Sequence, residues 1–458
     1  MSRAGTPASV RVPGVQRGVL TLGVLLRLYL ALVNMEANDD HLTVIRIIAR
    51  QHHLPGVRDA WEGFQPKLYH VVVAILWDLS PWQAPTVLVR IAQLVACAAG
   101  IATLLVVYRA MKRWDIAPVV RVLTFALVAF NPTLIGLNAQ ATNDSFVILF
   151  GTMALAAGYA FFQAGKGSAF AAMSAAVVLA ALSKGNGMVL FLAVLATLVL
   201  GIVRGVAVGG LSRWRLAALG AGFLTSFSIL VATLGPYRRN WQDTGNPFSI
   251  NGDPAPLPHV FDRTYVYRPG ITSIADGYFT FRLFDMLAHP AITDDANSYP
   301  LQRTSLWSQL YGRANFVQFA QHPPSWRNTD PLVLTVGRLI LILALLPTAA
   351  LLVGMVRTCV AFVGGRLPLD QVLLALTALG FVAFIMTYTL IYRDFSTMKA
   401  AFLFPGTLAY AFLLATEAER FRVRWADRPG LLRAAWWGCA ALGVLYVTDV
   451  AILAVQLT

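Results

Sequence analysis

The chain is predicted to fold as an all-α polytopic membrane bundle with about eleven transmembrane helices. Three observations predict this. Apolar residues make up 57% of the chain and charged residues 13%, with a mean hydropathy of +0.64, whereas a soluble domain carries roughly 25% charge. Apolar segments long enough to cross a hydrocarbon core, which takes about 20 residues, recur at 18–34, 85–109, 118–137, 145–163, 168–183, 187–206, 215–236, 331–357, 370–392, 400–416 and 434–456. Finally, Lys and Arg gather in alternate short connections, the bias that marks cytoplasmic loops.

The first segment carries Arg27, is long for a signal peptide and has no small-residue cleavage site, so it reads as an uncleaved span. Asp449 in the last span is its candidate partner. The loop that follows, 35–84, holds two surface helices. In the first, Leu42, Val44, Ile45, Ile47 and Ile48 alternate with Arg46, Arg50 and Gln51 at helical spacing, after a cap at Asn38 or Asp39 and before Leu54-Pro55-Gly56. Such an amphipathic helix lies in the interface plane. The second, Pro66 to Ser80, is too short to cross and carries Asp78. Counting it as a span would reverse the sidedness of everything after it. Segments 145–163 and 168–183 are rich in Ala and Gly, which suits helices packed closely inside the bundle. Residues 237–330 have many Pro, Gly, Tyr and Asp, with short elements expected at Tyr265–Pro269 and Tyr278–Phe284. The organisation is therefore an N-terminal transmembrane module over 1–236, an extracytoplasmic loop region over 237–330, and C-terminal transmembrane helices over 331–458.

With Arg3, Arg11 and Arg17 in the cytoplasm, alternation puts Arg109, Lys112, Arg113, Lys166, Arg204, Arg213, Arg357, Arg366 and the run Arg420 to Arg433 on the same side. The net charge of +14 is thus a loop bias. Without aromatic interleaving it points to membrane lipids and away from nucleic acid. Cys97, Cys359 and Cys439 have neither metal-site nor disulfide spacing and read as small core residues. His52 and His53 lack further zinc ligands and read as solvated. Trp61, Trp82 and Trp241 read as interfacial belt residues, and Trp307 as a loop-core residue rather than a platform for a sugar ring.

On the outer side two acidic turns follow spans: Asn38-Asp39-Asp40-His41 and Thr142-Asn143-Asp144-Ser145. Carboxylates at the lipid boundary are expensive and are functional-site candidates by default. The plainer reading is helix capping, which explains one acid of the first turn but hardly two, and explains Asp144 about as well as a functional role does.

The residues Asp39-Asp40-His41, Ile45-Arg46, Ala49, Leu54-Pro55 and Gln65-Pro66-Lys67-Leu68-Tyr69 resemble the first outer loop of GT-C glycosyltransferases. The resemblance is to those using lipid-linked sugars, in the protein O-mannosyltransferase and aminoarabinose-transferase branch. Asn131-Pro132 with Asn143-Asp144 is similar to that family's second outer loop. Ser183-Lys184-Gly185, Arg239-Asn240 with Gly245-Asn246-Pro247-Phe248, and Phe402 to Pro405 resemble further family segments. The chain departs from the pattern at Asp39-Asp40, where the family has Asp-Glu. It departs again at Pro66-Lys67, where the family has Pro-Pro, and at Lys399-Ala400-Ala401, where the family has an Arg.

The resemblance implies a GT-C-like bundle that moves a sugar from a polyprenyl-phosphate donor to a hydroxyl on a lipid, glycan or protein acceptor, at the extracytoplasmic face of a bacterial inner membrane by preference. Such a transfer takes a carboxylate to accept the hydroxyl proton and cations for the leaving phosphate. The base is assigned to Asp39, with Asp40 next, and Asp144 orients the acceptor or the first loop. Lys67, Lys184, Arg238, Arg239 and Lys399 are the phosphate contacts, and His41, Gln65, Tyr69 and Asn143 lie near substrate. Plainer readings are that Lys184 satisfies the last carbonyls of 168–183, that Arg238 and Arg239 snorkel, and that Lys399 pairs with Asp394. No cofactor is required; a divalent cation, Mn²⁺ or Mg²⁺, is the minority reading. The rivals are a polytopic lipid or polysaccharide transporter, which would show internal repeats or paired broken helices, and a non-catalytic cell-envelope subunit. In a variant with the native cysteines replaced by alanine, Gln83→Cys should react with an impermeant maleimide on intact cells, and Arg113→Cys only after permeabilisation. The opposite pattern would invert the topology.

Overall fold

The computed structural model describes residues 12–35, 38–205, 208–249, 270–290, 304–316, 331–392 and 397–457. Helices are the regular elements among them, beside one isolated bridge between Val208 and Leu211. Nine helices of the described residues are long and apolar enough to span a membrane. They include α1 (Val12–Val33), α4 (Pro85–Met111), α7 (Asp144–Ala164), α9 (Met188–Val203, led in by a turn from Gly185) and α10 (Arg213–Leu234). Later in the chain come Pro331–Val363, a turn-plus-helix Ala400–Arg424, and Pro429–Leu457, with Leu369–Tyr392 between the first two.

The expected span 118–137 is broken. Helices α5 (Pro118–Ala129) and α6 (Pro132–Asn138) meet at a 47° bend, and counting them as one span makes ten. Pro132 has no N–H to continue the helix, and the Asn131 side chain accepts from Leu134 N at 2.9 Å to start a new one. The expected span 168–183 is α8 (Gly167–Ser183), only 17 residues long. It nonetheless retraces α7: Gly165, at φ +65°, turns the chain back, and Asn143 at the start of α7 donates to the Ser183 carbonyl at 3.0 Å. The two small-residue helices pack as the sequence suggests. A Cβ at Gly151 would stand 2.5 Å from the Pro405 carbonyl oxygen, and one at Gly158 would stand 2.5 Å from Leu373 Cδ2. Helix α8 is buried from Met173 onward, apart from a few positions at its rim.

Arg27 corrects one expectation. Its partner is Asn138, reached by Nε at 2.9 Å, while Nη1 donates to the carbonyls of Gly23 at 2.9 Å and Ala129 at 2.7 Å. The α5–α6 break is the reason. Ala129 ends α5, so its carbonyl lacks an intrahelical donor, and a buried guanidinium supplies one.

In the first outer loop, α2 (His41–Gln51) and α3 (Leu68–Asp78) pack on each other and on α4. Both are too short to cross. The N-cap position of α2 is Asp40, not Asn38 or Asp39, without a side-chain cap bond, and the helix ends at His52 in the left-handed region at φ 53°. Short helices Ile274–Phe279 and Leu283–Ala288 replace the expected element at Tyr278–Phe284; Tyr265–Pro269 lies outside the described residues. Helix Leu306–Asn315 is fastened to the bend of α5–α6, with Asn131 Nδ2 donating to the Ala314 carbonyl at 2.7 Å. Trp307 Nε1 donates to the Tyr278 carbonyl at 2.7 Å, so this indole holds two loop segments together.

Helix directions gather the ends of α1 and α8 and the starts of α4 and α7 at one end of the bundle. Arg109, Arg204, Arg213, Arg357 and Arg420 fall at the other, where Glu419 accepts from Ala117 N at 2.9 Å. Gly100 lets α4 close on Asn138, since a Cβ there would stand 2.1 Å from Asn138 Cγ. Gly100→Ala should cost about 1–3 kcal/mol through overpacking, read as a lower thermal midpoint in detergent. An unchanged midpoint would contradict this packing.

Candidate active site

Two outer loops meet because Asn38 ties them. Its Oδ1 accepts from Ala141 N at 2.9 Å and from Gln93 Nε2 at 3.1 Å, and its Nδ2 donates to the Met35 carbonyl at 3.2 Å. Asn34 adds a bond from Nδ2 to the Ala139 carbonyl at 2.8 Å. Both side chains are buried. The segment just before Asp39 is therefore held against the segment just before Asp144. Sequence reading offered Asn38 only as a cap. Its cross-loop role has no local signal, because it depends on where α4 and the α6–α7 turn lie.

Asp39 keeps its carboxylate partly exposed, at 31%, with Oδ2 3.8 Å from His41 Nε2. On the other side of that ring, His41 Nδ1 lies 2.9 Å from His70 Nε2. Both imidazoles are buried against Tyr69, whose ring meets Phe146 edge-on. Only one proton fits between the two facing nitrogens, so the pair shares it. Burial holds His70 well below its ordinary 6.5, and the neighbouring His41, Lys67 and Lys184 push it the same way. His70 is the residue that sequence reading missed. A single His in an apolar helix looks like core, and only tertiary packing brings α3 against the start of α2.

The second acidic turn holds a buried ion pair. Lys184 Nζ lies 2.8 Å from both Asp144 carboxylate oxygens, and Thr142 Oγ1 donates to Asp144 Oδ2 at 3.1 Å. Lys184 Nζ also sits 5.2 Å above the centre of the Phe402 ring. His41 and Lys399 are close enough to act on the Asp144 charge. Asp39, His41, His70, Asp144, Lys184 and Lys399 thus form one neighbourhood, built from both outer loops, the end of α8 and the turn before Ala400.

The other candidates are placed differently. Asp40 Oδ1 accepts from Thr43 Oγ1 at 3.0 Å, inside the first turn of α2. Lys67 is buried and turned into its own loop, where it donates to the carbonyls of Glu62 at 3.3 Å, Gly63 at 2.7 Å and Gln65 at 2.5 Å. That burial lowers its pKa to about 7, with Glu62 and Asp59 opposing and Arg239 assisting. Gln65 contributes its carbonyl to this turn and is half-buried. Tyr69 is buried, with its hydroxyl on the Ala92 carbonyl at 2.9 Å, and burial raises its pKa. Arg239 clamps the α2–α3 loop through the Leu54 carbonyl at 2.6 Å and Asp59 at 3.4 Å, with Asp243 at 3.5 Å. Gly56 lets the guanidinium lie close, since a Cβ there would stand 2.8 Å from Arg239 Nη2 and push that side chain aside. Arg238 is exposed, on α11 (Tyr237–Thr244). Asp394 lies outside the described residues. Among the described residues no three His, Cys, Asp or Glu side chains stand close enough to hold a metal ion.

No protein-family model and no curated protein matches the chain. Solved structures to which the chain is similar at low identity include the following. The chain is similar to the Saccharomyces cerevisiae protein O-mannosyltransferase Pmt1-Pmt2 complex bound to the sugar donor, at 14% identity and TM-score 0.38, over 54% of this chain and 36% of that chain. It thus spans little more than a third of the yeast chain. It is similar to ArnT from Cupriavidus metallidurans bound to undecaprenyl phosphate, at 16% identity and TM-score 0.36, over 90% of this chain and 79% of that one. The apo state of ArnT gives the same identity and coverage with TM-score 0.37.

The depressed His70 has a consequence for stability. Its folded pKa lies below the unfolded value of 6.5, so below about pH 6.5 the unfolded chain binds the extra proton and the fold loses stability as pH falls. The contribution is fully present above that pH. The unfolding free energy should therefore fall between about pH 7 and pH 5, by up to about 1.4 kcal/mol per pH unit for one proton, read as a falling thermal midpoint in detergent, and His70→Gln should flatten the slope. Parallel slopes for the two proteins would contradict the assignment.

Proposed function

We propose that this protein is a membrane glycosyltransferase that moves a sugar from a polyprenyl-phosphate donor to an acceptor hydroxyl at the outer face, with Asp39 as general base. The observation that carries this reading is a partly exposed carboxylate, Asp39, beside His41, with the buried Lys184–Asp144 pair and the charges of His41 and Lys399 acting on Asp144, at one end of a membrane bundle. A carboxylate with open lone pairs can take a hydroxyl proton, and cations at the same place stabilise a departing phosphate.

The step balances without a cofactor. The acceptor O–H gives its proton to Asp39 as its oxygen bonds to the anomeric carbon. The bond from that carbon to the phosphate oxygen breaks, and its electron pair leaves with the polyprenyl phosphate. Lys184 and Lys399 face the growing phosphate charge. Asp40 is the next candidate for base: its Oδ1 accepts from Thr43 Oγ1, whereas Asp39 stands beside the His41 imidazole. Asp144 is a positioning residue: both its oxygens are committed to Lys184, which it holds in place. His41 orients Asp39, and His70 holds the His41 ring from its other nitrogen. Lys67, Arg239 and Gln65 shape the shelf above the site, with Tyr69 and Asn143 packing beneath it. Acceptor choice falls to the region over 237–330.

The transporter reading places its polar groups at the midplane; here they collect at the ends of the spans. The test is consumption of labelled polyprenyl-phosphate sugars by the purified protein. Asp39→Asn should lower kcat by about 10²–10⁴ with little change in thermal midpoint, and Asp40→Asn should cost far less. Full turnover by Asp39→Asn would remove the base, and failure to consume any such donor would remove the reaction.

A further inference from the structure

A second built feature lies at the arginine-rich end, away from the proposed transfer site. A cavity of about 380 Å³ opens between the helices Leu345–Val363, Thr407–Arg424 and Pro429–Leu457. Its walls are apolar, among them Leu346, Val353, Phe421 and Trp436. Its polar lining is Arg357, Glu417, Arg420 and Arg424. Leu346 and Arg357 lie about 16 Å apart along one helix, so the cavity runs from the polar end into the apolar layer by about half of a roughly 30 Å hydrocarbon core. That depth is one leaflet. Val353 and the adjacent Val356 are exposed at 46% and 64%, on the side that faces lipid.

The charges at its mouth do not cancel. Glu417 is buried and receives Arg357 at 2.9 Å as well as Arg420, so one carboxylate serves two guanidinium groups. Arg422 is taken by Glu419 at 2.6 Å. Arg424 and Arg428 lie over the Trp425 ring at 5.9 Å and 4.9 Å from its centre and pair with no carboxylate among the described residues. Both are exposed. Tryptophans beside them suit the headgroup level, and basic pockets between transmembrane helices at the cytoplasmic side bind anionic headgroups.

We propose that this cavity binds an anionic phospholipid of the leaflet at the arginine-rich end, with an acyl chain along Leu346 to Phe421 and its phosphate on Arg424 and Arg428. The proposal is independent of the transfer chemistry, since the polyprenyl phosphate donor is assigned to the opposite end. The occupant is a lipid rather than free phosphate because the volume is apolar and open to the bilayer.

The full chain, delipidated in a neutral detergent, is titrated with phosphatidylglycerol or phosphatidylcholine of identical chains, and bound lipid is read by native mass spectrometry. Phosphatidylglycerol should bind at least about tenfold tighter, the effect of one to two basic side chains near an anionic headgroup. The double variant Arg424→Gln/Arg428→Gln should lose that preference. Ala435→Phe, which fills the cavity and leaves the charges, should weaken both lipids, with its thermal midpoint confirming that it folds. Equal binding of the two lipids, selectivity retained in the double variant, wild-type binding by Ala435→Phe, or displacement of phosphatidylglycerol by inorganic phosphate would each overturn the proposal.

Discussion

The buried pair between Lys184 and Asp144 is the constraint on which the outer end of this bundle depends. It joins the start of α7 to the end of α8, so it decides how far α8 runs back along its neighbour. Both groups are nearly out of water, and removing either one would leave an uncompensated buried charge, which typically costs about 3–5 kcal/mol. Thr142 and Asn143 complete the arrangement, one bonding the carboxylate and the other the Ser183 carbonyl. The pair also fixes a cation whose charge acts on His70, the partner of His41.

Around that pair, carboxylates of similar sequence context acquire different chemistry from their partners. Asp39 accepts from Asp40 N at 3.1 Å, stands 3.8 Å from an imidazole and stays partly open to solvent. Asp40, its chain neighbour, is absorbed into a helix start. Asp144 is saturated by an ammonium and a hydroxyl. Proton acceptance needs free lone pairs and room for an acceptor, which the half-buried Asp39 and Asp40 keep and Asp144 lacks. Lysines divide in the same way. Lys67 gives its protons to carbonyls of its own turn, while Lys184 and Lys399 stand by the acids.

The two ends of the bundle answer to different solvents. At the acidic end, polar groups are buried and paired with one another, so their geometry is set by protein. At the basic end, Arg424 and Arg428 are exposed and stack on an indole, and an apolar cavity continues beneath them. Positive charge gathered beside an open apolar slot is a surface shaped for lipid.

Much of the architecture was legible in the chain. Long apolar runs determine spans because every backbone group must be hydrogen-bonded inside the segment. Arginine placement determines which ends lie together, and the alternation after Asp40 marks a surface helix. The acidic turns were visible too, as carboxylates where lipid makes them expensive. Their partners were not. That Arg27 bonds Asn138 rather than Asp449 follows from a helix break whose free carbonyl is on offer only in three dimensions. That His70 meets His41, and that Asn38 joins two loops, follows from packing between segments far apart in sequence. Periodicity and hydropathy are properties of neighbouring residues and can be read along the chain. Which carboxylate keeps free lone pairs, and which lysine is used up by carbonyls, depends on contacts made across it, and those exist only once the helices have packed.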